Sequence, residues 1–163
     1  MKKITTLIIS LMVLLSLTLP ILTVQAKDFD SLGWKLVAQE LSHKDTLKIL
    51  GKPERKSKET MSEVDGTMHQ IWYYSGVELD MAKNDRNKLE INYISISKPS
   101  NYKTLRNIGI GSTKQEVMKA YKNEFNPEDS DNANITAGTI YGGIMFELKK
   151  NHVSKIFIGA AAE

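Results

Sequence analysis

The 163-residue chain contains no cysteine. That excludes disulfide staples, a thiol nucleophile, thiolate metal sites and the lipid-modified cysteine of a bacterial lipoprotein. Histidine is scarce: His43, His69 and His152 stand alone, with no H-x-x-x-H or H-E-x-x-H spacing to hold zinc. Each is expected at the surface or at a strand end. No Gly-x-Ser-x-Gly elbow occurs, and the Gly-x-Gly of Gly109, Ile110 and Gly111 lacks the third glycine of a dinucleotide site. Charge of one sign is lacking too, with 22 basic against 19 acidic side chains. Neither half carries a basic stripe, so neither nucleic acid nor anionic lipid is an expected partner. These absences predict a protein that is not an enzyme, with no catalytic residue, no cofactor and no metal.

A long apolar run occurs once, from Ile4 to Leu19 behind Lys2 and Lys3, which is the pattern of a signal peptide. Pro20 interrupts it, and Val24-Gln25-Ala26 places small or modest side chains where signal peptidase needs them, predicting cleavage after Ala26. Retention as a membrane anchor is the competing reading, because Ile4 to Val24 approaches the roughly 20 residues that span a bilayer. Removal of 26 of the 163 residues leaves about 137, with 20 basic and 19 acidic groups. Such a chain is long enough to build its own core. The expected localisation is secreted, and the Lys-rich, Arg-poor composition points to a Gram-positive bacterium.

Between Phe29 and Leu50 the apolar residues Trp34, Val37, Ala38, Leu41, Leu47 and Leu50 recur at helical spacing, predicting two helices ended by Gly51 and Pro53. Ile71-Trp72-Tyr73-Tyr74 and Val77-Glu78-Leu79-Asp80-Met81 then read as strands joined at Ser75-Gly76, and Leu89 to Ile96 as a third. The order recurs. Ser112 or Thr113 caps a helix from Lys114 to Tyr121, with Glu116 completing a capping box. A polar loop from Asn126 to Asn134 leads to strands over Thr139 to Phe146 and Val153 to Ile158. Tyr74-Ser75-Gly76-Val77 matches Tyr141-Gly142-Gly143-Ile144 at an offset of 67, and Ile91, Ile94 and Ile96 match Val153, Ile156 and Ile158 at an offset of 62. The expected fold is α+β: two tandem helix-loop-helix plus antiparallel-sheet units, residues 27–98 and 99–163, packed as one body.

The phrase Ile108-Gly109-Ile110-Gly111-Ser112-Thr113-Lys114-Gln115-Glu116-Val117, with Tyr121 after it, resembles a signature of the β-lactamase-inhibitor-protein-like fold, as does Leu47 to Pro53. That superfamily includes small lipoproteins of outer-membrane assembly. The resemblance covers most of the exported chain and implies tandem units whose combined sheets present a curved face to a protein partner. The chain departs from the inhibitor in lacking all cysteines and from the lipoproteins in lacking the lipidated one. Neither specific activity carries over.

Trp72 and Tyr74 share one face of their strand and Ile71 and Tyr73 the other, so one set points away from the core unless both faces are covered. Aromatics with a polar tip are favoured interface anchors. The blander account packs Trp72 and Tyr74 under the helices and leaves Tyr73 half exposed. Glu78 and Asp80, two apart on one strand face, suit a metal or a general acid, or are the solvated side of a half-buried strand. Trp72, Tyr73, Tyr74, Glu78, Asp80 and Tyr141 are the candidate partner-binding residues, and the loop Ala82 to Lys88 is a second place for specificity. The expected function is a secreted, non-enzymatic protein-interaction module acting on an extracellular or cell-envelope protein, as inhibitor or accessory. A cell-wall polymer binder is the alternative, and a hydrolase of unrecognised type stands third.

Overall fold

The computed structural model describes residues 44, 48, 50–104, 106–139 and 142–160. The strands among the described residues are β1 (Arg55–Lys56), β2 (Thr60–Met61), β3 (Met68–Tyr74), β4 (Val77–Lys83), β5 (Leu89–Ser97), β6 (Phe125–Asn126), β7 (Asn134–Thr139), β8 (Gly142–Lys149) and β9 (His152–Gly159), and a helix, α1 (Lys114–Ala120), lies between β5 and β6. All nine strands form one antiparallel sheet in the order β1-β3-β4-β5-β9-β8-β7-β6, with β2 paired to β3 beside β1.

This corrects the α+β expectation. Among the described residues the molecule is nearly all sheet, and α1, seven residues long, is followed by no second helix. The physical reason lies in the chain after Tyr121. Asn123, Asn126, Pro127 and Asp129 favour turns or lack the helical donor, so the backbone leaves the helix and enters β6. The helices expected between Phe29 and Leu50 lie outside the described residues, apart from Lys44, Lys48 and Leu50, whose backbone is helical. The expected export signal, residues 1–26, also lies outside them. No helix among the described residues is long and apolar enough to cross a membrane.

The sheet is symmetric about its centre. β5 and β9 pair so that Ser95 lies opposite Phe157, Ile94 opposite Ile158 and Ile96 opposite Ile156. The offset of 62 that equates Ile94 with Ile156 also equates Ser95 with Phe157. An approximate two-fold axis therefore passes through the Ser95–Phe157 pair, with β4, β3 and β1 on one side and β8, β7 and β6 on the other. The offset of 67 also holds in space, because Val77 pairs with Ile96 as Ile144 pairs with Ile158. The hairpins themselves differ. Val77 pairs with Tyr74, whereas Ile144 pairs with Ala137 and the second hairpin closes at Thr139 and Gly142. Ala137, not Tyr141, therefore takes the place opposite Ile144 that Tyr74 takes opposite Val77.

One face of the sheet is apolar throughout. Trp72, Leu79, Met81, Ile94 and Ile96 of the first half, and Ile135, Ile144, Phe146, Ile156 and Ile158 of the second, are buried there. Each such side chain contributes about 1.5–3 kcal/mol on leaving water. Over the second half α1 closes this core with Val117 and Tyr121, whose ring packs against Phe146 with centroids 5.0 Å apart. The helix starts at a capping box in which the Glu116 amide donates to Thr113 Oγ1 (3.2 Å) and the Thr113 amide donates to Glu116 Oε2 (2.6 Å).

Candidate functional site

The opposite face of the sheet carries the polar and aromatic chemistry. A cross-strand row runs Arg55, Tyr73, Glu78, Ser95, Phe157, Met145, Thr136, each residue directly opposite the next. The neighbouring row begins Ile71, Asp80, Tyr93. Tyr73, Tyr93, Phe157 and Met145 are half-buried. The Tyr93 and Phe157 rings lie 5.0 Å apart at 33°, and the Arg55 guanidinium lies 3.5 Å from the centre of the Tyr73 ring.

Beside these rings sits a chain of ionisable groups. Asp65, in the turn between β2 and β3, accepts the Thr67 amide at Oδ1 (2.9 Å) and the Thr67 hydroxyl at Oδ2 (2.9 Å). This is the Asx turn that an Asp-Gly-Thr sequence favours, and Gly66 supplies its positive φ of 68°. Asp65 Oδ2 also lies 2.9 Å from His69 Nε2 on β3, and His69 Nδ1 lies 2.7 Å from Asp80 Oδ2 on β4. His69 is opposite Ala82, so Asp80 is its diagonal neighbour across the pair, within reach of a long side chain. Asn92 Nδ2 donates to the same Asp80 Oδ2 at 3.0 Å.

Asn92 reaches this position through a β-bulge. Asp80 pairs with Tyr93 but Met81 pairs with Ile91, so Asn92 is the extra residue of β5. Bulges re-aim side chains next to functional sites, and here one brings an amide to a buried carboxylate. Asp80 is only 3% exposed, and its Oδ1 is buried with no hydrogen-bond partner. Asp80 and Asn92 both line a cavity of about 520 Å³ on this face, together with Ser62, Val64, His69, Tyr93, Phe157 and Ala160.

The electrostatics follow from the contacts. Burial pulls the His69 imidazole toward neutrality, but hydrogen bonds to Asp65 and Asp80 outweigh it and raise its pKa. The Thr67 amide, and after it His69, hold the Asp65 carboxyl well below the usual range. Burial, then the charges of Asp80 and Glu78, raise the Tyr93 phenol. His69 has a carboxylate at each ring nitrogen, which favours the imidazolium and leaves neither nitrogen open to a substrate proton. The two carboxylates flank the ring instead of converging, and no group of three or more potential ligands among the described residues is arranged for a metal ion.

The residues singled out from sequence separate. Trp72 is fully buried on the core face, its Nε1 donating to Gln70 Oε1 (2.7 Å) and the Lys56 ammonium lying 3.8 Å from its ring centre. Tyr74 shares that face, half-buried, with its hydroxyl on the Gly51 carbonyl (3.3 Å) and its pKa pushed up to about 12 by burial. Tyr73, Glu78 and Asp80 come together on the opposite face, Glu78 exposed and Asp80 buried. Tyr141 lies outside the described residues. The loop after β4 folds on itself through Asn84, whose Oδ1 accepts the Arg86 and Lys88 amides.

Sequence reading missed Asp65, His69, Asn92, Tyr93 and Phe157. A signal existed for His69, since His69, Ile71 and Tyr73 alternate onto one strand face. None existed for Asn92, because nothing local marks the bulge.

The second half lacks this cluster. The offsets place Glu147 at the position of Asp80 and Lys155 at that of Tyr93, and those two form an ordinary surface ion pair at 3.4 Å. One copy of the unit thus holds a buried carboxylate–imidazole chain where the other has a solvated pair.

No family model matches this chain, and neither does any curated protein or any solved structure.

Proposed function

We propose that the chain is a secreted, non-enzymatic protein-interaction module that binds an extracellular or cell-envelope protein through the sheet face opposite its core. The observation that carries this reading is the row Tyr73, Glu78, Ser95, Phe157, Met145: half-buried aromatic and apolar side chains interleaved with an exposed acid, running across five strands. Rigid aromatics bring large contact area at low entropic cost, and strands joined in one sheet hold them in fixed register. Both ring nitrogens of His69 are engaged, which favours recognition over proton transfer.

A cell-wall polymer is the second reading, favoured by the Tyr93–Phe157 ring pair beside the polar groups of the cavity, a combination that suits sugar stacking. The test compares capture of proteins from culture supernatant with co-sedimentation on purified cell wall. It uses the unaltered protein and a Tyr73→Ala, Met145→Lys double variant whose folding is checked by circular dichroism. A specific protein captured by the unaltered chain and lost with the double variant supports the first reading. Co-sedimentation that soluble wall fragments compete away supports the second. Retention of neither overturns both.

A further inference from the structure

The buried Asp80 carboxylate has one oxygen fully committed and the other without a partner. Oδ2 takes bonds from His69 and Asn92, while Oδ1 is buried and bonds to nothing. A buried carboxylate oxygen left unsatisfied is costly, and a bound partner is one of the few things that offset that cost. The surroundings specify that partner. Among the described residues no lysine or arginine lines the cavity of about 520 Å³ beside Asp80. Of the ionisable groups Asp65, His69 and Asp80, two are acids and one is a base, so acids outnumber bases in the cluster. The packed rings of Tyr93 and Phe157 line the cavity, as does Val64, 71% exposed in the β2–β3 turn.

A buried carboxylate, two aromatic rings and an exposed valine lining one cavity suit a cation that is planar, weakly hydrated and carried on an aliphatic stem. A guanidinium fits each element: it donates to the carboxylate, stacks on the ring faces and leaves its methylenes against Val64. We propose that this cavity is a recognition pocket for an arginine side chain of the protein partner, with Asp80 Oδ1 as its acceptor. The pocket deepens the protein-binding reading and rests on it for the carrier of the guanidinium. Its chemistry can be tested without any partner. The symmetry-related acid, Glu147, is paired with Lys155 and so already holds a cation, whereas Asp80 of the first half has no lysine or arginine on it.

The experiment titrates the full chain with N-acetyl-arginine amide and, separately, with N-acetyl-citrulline amide, a neutral near-isostere, and follows the His69 ring and Asn92 side-chain signals by NMR. The expected result is saturable movement of both signals by the arginine compound. The citrulline compound binds at least about tenfold more weakly, because a charge-assisted hydrogen bond to a buried carboxylate is lost. Asp80→Asn abolishes the difference between the two. Should that variant fail to fold, Phe157→Leu removes one of the two rings without touching the Asp–His chain and weakens arginine binding severalfold in a folded protein. Equal binding of both compounds, or movement of neither signal at millimolar ligand, overturns the pocket and leaves Oδ1 to an ordered water. The protein-binding reading fails separately. If the arginine compound binds with the expected discrimination while no protein is captured, the pocket stands and the partner reading does not. If capture depends on Tyr73 and Met145 while the arginine compound does not bind, the reverse holds.

Discussion

His69 shows how a single side chain can be placed by three elements at once. The turn carrying Asp65 meets one ring nitrogen, and Asp80 of the next strand meets the other, so the imidazole is clamped in a fixed orientation. The clamp has a thermodynamic signature. Its net effect is to raise the folded pKa of His69 above the ordinary value of 6.5. The imidazolium contacts therefore stabilise the fold fully below that value, and their contribution is lost as pH rises through the raised folded pKa. Asp65 acts with the opposite sign: its carboxyl is depressed, so its contribution is present above the ordinary aspartate range and is lost as pH falls through the lowered value. The groups facing the ring are Asp65, Asp80 and the Thr67 hydroxyl, with the Tyr93 phenol lining the same cavity. Thermal unfolding followed from about pH 6 to pH 9 is expected to show a falling midpoint for the unaltered protein and a flatter profile for His69→Gln. An NMR titration of His69 with a midpoint at or below the free-imidazole value contradicts the clamp.

Hairpin β3–β4 is held by its turn. Gly76 has φ of 69°, and a Cβ there would stand 2.4 Å from the Ser100 amide nitrogen and 2.5 Å from the Ser97 carbonyl oxygen. Those are backbone atoms that cannot swing aside, and the Ser97 amide itself donates to the Gly76 carbonyl at 2.9 Å. Gly76→Ala is expected to cost at least about 1–2 kcal/mol from the left-handed backbone alone, with further loss from pushing the start of the 98–104 segment away. Gly142→Ala, at the corresponding end of the second hairpin, meets nothing within 4 Å and has no positive φ, so it is the matched control. Urea midpoints of the two variants should separate clearly; equal midpoints would mean that the Gly76 turn is not under this constraint. The Ser75-Gly76 turn was readable because a glycine between two alternating runs is a local signal. The bulge at Asn92 was not readable, since it depends on where Met81 and Asp80 find partners on another strand.

In the molecule as a whole, the join between β5 and β9 carries the architecture. Ile94, Ile96, Ile156 and Ile158 are buried along it, and the approximate two-fold axis passes through Ser95 and Phe157. An isolated first unit, residues 27–98, would expose the β5 edge with Ile94 and Ile96 beside it, an open template for strand pairing. Because β5 in the intact chain pairs with its own symmetry equivalent, the same register is open to a second copy, Ser95 opposite Ser95 and Ile94 opposite Ile96. The isolated unit is therefore expected to form an antiparallel dimer or to remain unfolded, and sedimentation equilibrium distinguishes these from the outcome that refutes the idea, a folded monomer. In the intact chain Ile156→Ala is expected to destabilise by about 2–5 kcal/mol, as truncation in a close-packed core does.

Much of this arrangement is written locally. Alternation along Ile71 to Tyr74 and Val77 to Met81, the Gly76 turn and the Thr113–Glu116 capping box are short-range patterns, set by backbone sterics and by the period of two along a strand, and the offsets of 62 and 67 are legible because such local patterns recur. The assignment of faces is not local. Whether Trp72 or Tyr73 turns toward the core depended on which side of the sheet was covered, and the covered side buries Trp72. The helix-rich expectation failed beyond the cap: the run read as helical from Lys114 to Tyr121 is α1, but among the described residues no second helix follows it, because the turn-forming residues after Tyr121 lead the chain into β6. The clamp of Asp65, His69 and Asp80, the displaced Asn92 and the unpartnered Asp80 Oδ1 exist only once three strands and a turn are in register. Burial, and with it the chemistry of each ionisable group, is a property of what packs around a residue, and that is decided by contacts between segments far apart in the chain.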